Sequence, residues 1–138
     1  MNEKIINILL VEDDQVDVMN VKRAFEKNRI ANPLFVAADG LEGLLKLRSG
    51  EVPADRRLVL LDLNMPKMSG IEFLRELRSD PALHPTPVVV LTTSNDEKDK
   101  TDAYNLNVAG YLVKPVTFIK FVDAMTALNK YWTLVEFP

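Results

Sequence analysis

Asp62 closes the apolar run Leu58-Val59-Leu60-Leu61 and is followed at once by Leu63-Asn64-Met65-Pro66, where the chain must leave a strand and turn. A buried strand that ends on a carboxylate sets an ionisable group at a sheet edge, where α/β proteins build their sites. The pattern also occurs earlier, where Ile8-Leu9-Leu10-Val11 runs into Glu12-Asp13-Asp14. Two further strand-like runs deliver Thr92 and Lys114, the latter followed by Pro115. If these ends converge on one crevice, Glu12, Asp13 and Asp62 meet a hydroxyl and an ammonium in a small volume. Close carboxylates raise one another's pKa unless a cation joins them. Oxygen ligands without His or Cys select a hard divalent ion, Mg²⁺ in a cell, with Mn²⁺ as a substitute. Magnesium pairs with phosphate oxygens, so a phosphoryl group is the expected guest. Lys114 can neutralise it, Thr92 can donate a hydrogen bond to it, and a carboxylate beside it can act as nucleophile and form an acyl phosphate.

The rest of the chain must hold these groups together. Short apolar runs at 6–11, 34–37, 58–61, 88–91 and 111–113 predict five strands. Between and after them, apolar residues at helical spacing predict helices over 15–27, 41–48, 71–78, 97–106 and 117–131. Asp13 or Asp14 is the candidate cap of the first helix and Ser69 that of the third. The fourth helical segment is mostly polar. The fifth is the longest, with Phe118, Phe121, Val122, Met125 and Leu128 on an inward stripe. Five strand–helix repeats without a linker predict a parallel sheet with helices on both faces. Loops are expected at 49–57 and 80–86, where Gly and Pro gather.

Composition narrows the function. With 138 residues, 47% of them hydrophobic, the chain reads as one soluble globular domain with a sizeable core. The absence of cysteine excludes disulfides, thiolate metal sites and cysteine nucleophiles, and the single His84 excludes a poly-histidine site. A net charge of −3 argues against a nucleic-acid footprint. No apolar run has the length of a membrane span and no signal-peptide pattern is present, so the expected location is cytoplasmic, without membrane or nucleic-acid partners.

Taken singly, each group has a bland explanation. Asp14 and Asp39 read as turn or helix caps, Thr92 as an ordinary strand-end threonine, and Lys114-Pro115 as a surface lysine before a helix-starting proline. The combination is specific. Val11-Glu12-Asp13-Asp14, Asp62-Leu63-Asn64-Met65-Pro66 with Ser69-Gly70, Thr92-Thr93-Ser94 and Gly110-Tyr111-Leu112-Val113-Lys114-Pro115 stand in the order seen in one known family. The chain resembles the receiver domain of two-component response regulators, the phosphoacceptor partners of sensor histidine kinases.

That resemblance implies a flavodoxin-like, doubly wound (β/α)5 fold with strand order 2-1-3-4-5. It implies phosphorylation of Asp62 from a kinase phosphohistidine. Asp13 and Asp62 would ligate Mg²⁺ directly, Asn64 through its backbone carbonyl and Glu12 through water. Lys114 would hold the phosphoryl group, Thr92 would swing inward to bond it, and Tyr111 would turn from an outward to an inward rotamer. The Lys114–Pro115 bond would be cis. The response would appear on the surface formed by helix four, strand five and helix five.

The C-terminal segment is less generic. The receiver is expected over 1–130, followed by an apolar tail over 131–138 and no output domain. The tail, with Thr92-Thr93-Ser94 and Lys114-Pro115-Val116, resembles the cyanobacterial phytochrome response regulators. This makes a bacterial phytochrome the candidate kinase and a homodimer the expected assembly. Ile119, Tyr131, Trp132, Leu134, Val135 and Phe137 are its candidate interface; the alternative is a tail packed on its own domain. Two rival functions remain distinct. A Mg²⁺-dependent phosphatase with an aspartate nucleophile would carry a second acid two residues on, where this chain has Asn64. A phosphorylation-independent interaction module would have lost one of Asp13, Asp62, Thr92 or Lys114, and all four are present. Flavin binding is disfavoured, because no Ser/Thr/Gly-rich phosphate loop follows the first strand.

Overall fold

The computed structural model describes residues 6–27, 29 and 31–114. The expected fifth helix, Pro115 and its cis bond, and the tail with its candidate interface residues lie outside the described residues. The elements run β1 (Asn7–Val11), α1 (Gln15–Lys27), β2 (Leu34–Ala37), α2 (Gly40–Ser49), β3 (Arg57–Leu61), α3 (Gly70–Ser79), β4 (Val88–Thr92), α4 (Glu97–Asn105) and β5 (Gly110–Val113). All strand pairs are parallel, in the order β2-β1-β3-β4-β5. The sheet is parallel, as the alternation of elements predicts, and its strand order is the flavodoxin-like one that the family resemblance implies.

Side-chain alternation along the strands sends each to both faces. Leu9 and Val11 of β1, Val59 and Leu61 of β3, and Val88 and Val90 of β4 pack with Leu44 and Leu47 of α2, Phe73, Leu74 and Leu77 of α3, and Ala103 of α4. Ile8, Leu10, Leu58, Leu60, Val89 and Leu91 pack on the opposite face with Val18, Val21, Ala24 and Phe25 of α1. The central strands are buried along their whole length, and each leucine or valine removed from water there contributes about 2 kcal/mol. They form the rigid platform from whose carboxyl ends the site residues project.

Two local features fix the ends of α3. Ser69 and Glu72 form a reciprocal capping box at its start. Near its other end, the Arg78 guanidinium donates to the carbonyls of Leu106 (2.7 Å), His84 (2.7 Å), Thr86 (2.7 Å) and Asn107 (3.1 Å). One side chain thus ties α3 to the α3–β4 loop and to the turn after α4.

Candidate functional site

Backbone bonds bring the strand ends level. Asp62 N–H donates to Val11 C=O at 3.0 Å, Glu12 N–H to Ala37 C=O at 3.0 Å, and Lys114 N–H to Thr92 C=O at 2.6 Å. The first residue beyond each of β1, β3 and β5 is therefore held by a neighbouring strand. Asp14 resolves the choice of cap for α1: its Oδ1 accepts from Val16 N–H (2.8 Å) and Asp17 N–H (3.3 Å). Asp13 is left with its carboxylate near the strand ends. Glu12, Asp13 and Asp62 each place a carboxylate oxygen within 4.8 Å of the others. Glu12 and Asp62 are buried, at 1% and 6% exposure, whereas Asp13 opens to solvent.

The β3–α3 loop is shaped around Asp62. Its Oδ1 accepts from Asn64 N–H at 3.2 Å, an Asx-type turn that bends the chain as it leaves the strand. Gly70 N–H donates to Leu63 C=O at 3.0 Å, and a Cβ on Gly70 would lie 2.6 Å from both Asp62 O and Leu63 Cα. Only glycine lets α3 begin this close to the backbone of the acid. Asn64 Nδ2 donates to Thr93 Oγ1 at 3.2 Å, which links this loop to the end of β4.

Electrostatics follow from burial and crowding. Desolvation pushes the Glu12 carboxyl up to about 7; the nearby Asp62 adds to the rise and the Lys114 hydrogen bond opposes it. Burial works against the Lys114 ammonium, but hydrogen bonds to Asp17 and Glu12 outweigh it and hold the Lys114 pKa above its ordinary value. Lys114 Nζ is paired with Glu12 and, at 2.8 Å, with Asp17 Oδ2. Three oxygen donors on one side of this cluster match a hard dication in charge and ligand chemistry, and their mutual repulsion gives such an ion a favourable place to sit.

A second network starts at Thr92, which is fully buried. Its Oγ1 accepts from Ser94 N–H at 3.3 Å, while Tyr111 O–H donates to Ser94 C=O at 2.9 Å. Ser94 Oγ in turn donates to Asp99 Oδ2 of α4 at 2.5 Å. Burial raises the Tyr111 phenol pKa, with Asp99, Asp96 and Asp62 adding to the rise and its hydrogen bond to Ser94 opposing it. Thr92, Tyr111 and α4 thus meet at one residue.

The structure brings Glu12, Asp13, Asp62, Asn64, Thr92, Tyr111 and Lys114 to the same end of the sheet. Asp17 and Asp99 are additional members that sequence reasoning missed. Both are acids in the first turn of a helix, where a charge opposing the helix dipole is the ordinary explanation.

An acid at the end of the central strand, two more acids at its side, and a threonine and a lysine on the following strands define the response regulator receiver. Residues 8–126 match the response regulator receiver domain, and the chain belongs to that family. It is 38% identical over 128 residues to the response regulator Rcp1 of Synechocystis sp., covering 91% of this chain and 87% of Rcp1. It is 38% identical over 127 residues to the probable methanogenesis regulatory protein FilR2 of Methanothrix harundinacea, covering 91% of this chain and 82% of FilR2. The structure of the phosphorylated cyanobacterial phytochrome response regulator RcpA superposes with a TM-score of 0.78 at 34% identity, covering 97% of this chain and 99% of RcpA. The Mn²⁺-bound form of Rcp1 superposes with a TM-score of 0.74 at 37% identity, covering 95% and 97%.

Proposed function

We propose that this chain is a Mg²⁺-dependent switch that takes a phosphoryl group on Asp62 from the phosphohistidine of a sensor histidine kinase. The observation that carries the reading is the buried Asp62 at the end of β3, with Glu12 and Asp13 oxygens within 4.8 Å. In the transfer, an Asp62 oxygen attacks phosphorus, a P–O bond forms as the donor's P–N bond breaks, and the leaving imidazole keeps a proton. Mg²⁺, or Mn²⁺ in its place, held by Asp13, Asp62, the Asn64 carbonyl and, through water, Glu12, would offset the charge gathered on the phosphoryl oxygens. The Mn²⁺-bound form of Rcp1 supports a divalent ion as the cofactor. Lys114 pairs with the phosphoryl oxygens, and Thr92 donates its hydroxyl to one of them. Thr92 then releases Ser94, to which Tyr111 is also bonded, and the change passes to α4, β5 and the helix expected to follow.

The chain acts on no exogenous substrate in this reading; it promotes only its own phosphorylation and dephosphorylation, in the cytoplasm. Likeness to RcpA, described as a phytochrome response regulator, supports a bacterial phytochrome as the kinase. The apolar residues from Ile119 to Phe137 support a homodimer built by the fifth helix and tail. The test is intact-protein mass after exposure to acetyl phosphate. One phosphoryl group is expected with Mg²⁺ and none without it, and Asp62→Asn abolishes the gain. A label mapping to Asp13, Asp14 or Ser94 overturns the assignment.

A further inference from the structure

Asp17 has a partner its position in the chain does not predict. It lies in the first turn of α1, outside the group of three acids that could share a metal, yet its Oδ2 accepts from Lys114 Nζ at 2.8 Å, across 97 residues of sequence. The Lys114 side chain is 12% exposed and that of Asp17 32%, so the pair is partly shielded from water. Glu12 holds the same ammonium from the strand side. The hydrogen bonds of the ammonium thus go to Glu12 and to α1, whereas Asp62 acts on it only as a nearby charge.

We propose that Asp17 is a positioning residue that draws Lys114 toward α1 and competes with the phosphoryl group for it. This rests on the phosphoacceptor reading above. An ammonium has three donors. A phosphoryl group on Asp62 needs at least one of them aimed at Asp62, and each one committed to a carboxylate on α1 biases the lysine away. Glu12 would be drawn to a cation in the metal site, which would leave Asp17 as the rival that persists. The strength of the Asp17–Lys114 pair therefore sets how readily the phosphorylated form is occupied.

Beryllium fluoride with Mg²⁺, a non-covalent phosphoryl mimic, tests this on the full chain by calorimetric titration. Asp17→Asn removes the competing charge and is expected to tighten mimic binding about fivefold, the range of a partly exposed ion pair. Asp17→Glu keeps the charge and should stay within about twofold of the parent. The same Asn substitution in a Lys114→Met background should have no effect, because the competition runs through the lysine. Unchanged or weaker mimic binding in Asp17→Asn overturns the proposal. Equal tightening in both backgrounds also overturns it, since that is a bulk charge effect. If the parent protein binds no mimic and accepts no phosphoryl group, the phosphoacceptor reading itself falls. If the parent binds it, Asp62→Asn does not, and Asp17→Asn is neutral, only the role of Asp17 falls.

Discussion

Gly70→Ala is the sharpest test of how α3 carries the site. The new Cβ would lie 2.6 Å from Asp62 O, 2.6 Å from Leu63 Cα and 2.7 Å from Leu63 Cδ2. Two of these three atoms are backbone in a loop already fixed by the Gly70 N–H bond to Leu63 C=O and the Asn64 N–H bond to Asp62. The clash is relieved only by moving the helix start or the acid. Overpacking of this kind costs roughly 1–3 kcal/mol. Alanine's better helix propensity returns at most about 1 kcal/mol, and less in the first turn. A net loss of about 1–2 kcal/mol lowers Tm by about 3–8 °C for a chain of this size. Differential scanning calorimetry measures the loss, and the rate of mass gain with acetyl phosphate reports the displaced Asp62 and is expected to fall in parallel. A variant that melts at or above the parent temperature and phosphorylates at the parent rate would refute the claim that glycine is required here.

Four other perturbations address the charges and the tail. Glu12 titrates near 7 when folded against 4.5 for an ordinary glutamate, so the metal-free protein takes up an extra proton between those values. Its contribution to stability is full below about pH 4.5 and is lost as pH rises through about 7; Glu12→Gln should remove that slope in urea melts. A dication needs the anionic form, so Mg²⁺ affinity should fall as pH drops from 8 to 6 in the parent and stay flatter in Glu12→Gln, as read by isothermal titration. Asp13→Ala should weaken Mg²⁺ binding at least about tenfold, whereas Lys114→Ala should spare Mg²⁺ and impair the response to phosphorylation; the reverse order would exchange their roles. Deleting residues 132–138 should leave a folded, phosphorylatable monomer in sedimentation, and a full-length chain that is monomeric at high concentration would make the tail self-packing.

The strands were legible because burial on both faces requires unbroken apolar runs, and 58–61 and 88–91 differ from the observed β3 and β4 by one residue each. Helix ends were legible where a side chain does the stopping, as at Asp39, whose carboxylate accepts from Glu42 N–H, and at Ser69. The α1 cap was ambiguous because Asp13 and Asp14 are equally good acceptors. Only the three-dimensional turn gives the helix to Asp14 and the cluster to Asp13. The strand-end acids were readable because Glu12 and Asp62 stand directly after apolar runs and Asp13 follows Glu12. Asp17 and Asp99 were not, since a helix-start acid looks the same whether it faces water or an ammonium 97 residues away. The Arg78 bonds were equally hidden, because all four acceptors are main-chain carbonyls and leave no mark in side-chain pattern.

Those four bonds have a mechanical consequence. Two of them hold the turn that follows α4, at Leu106 and Asn107, to the end of α3, and Asn107 adopts φ 60°, so the chain there is both clamped and sharply bent. At its other end, among the described residues, α4 is held to the strand-end loop through Ser94, whose Oγ donates to Asp99 Oδ2 and accepts from the N–H of the cap residue Asp96, and Ala103 is the buried residue of the helix. A rod fixed at one end and lightly held at the other has a pivot. If phosphorylation displaces Ser94 as proposed, α4 would rotate about Asn107, with the arc widest at its first residue, Glu97, and smallest beside Arg78. In that reading the helix would work as a lever whose fulcrum is an arginine on its neighbour.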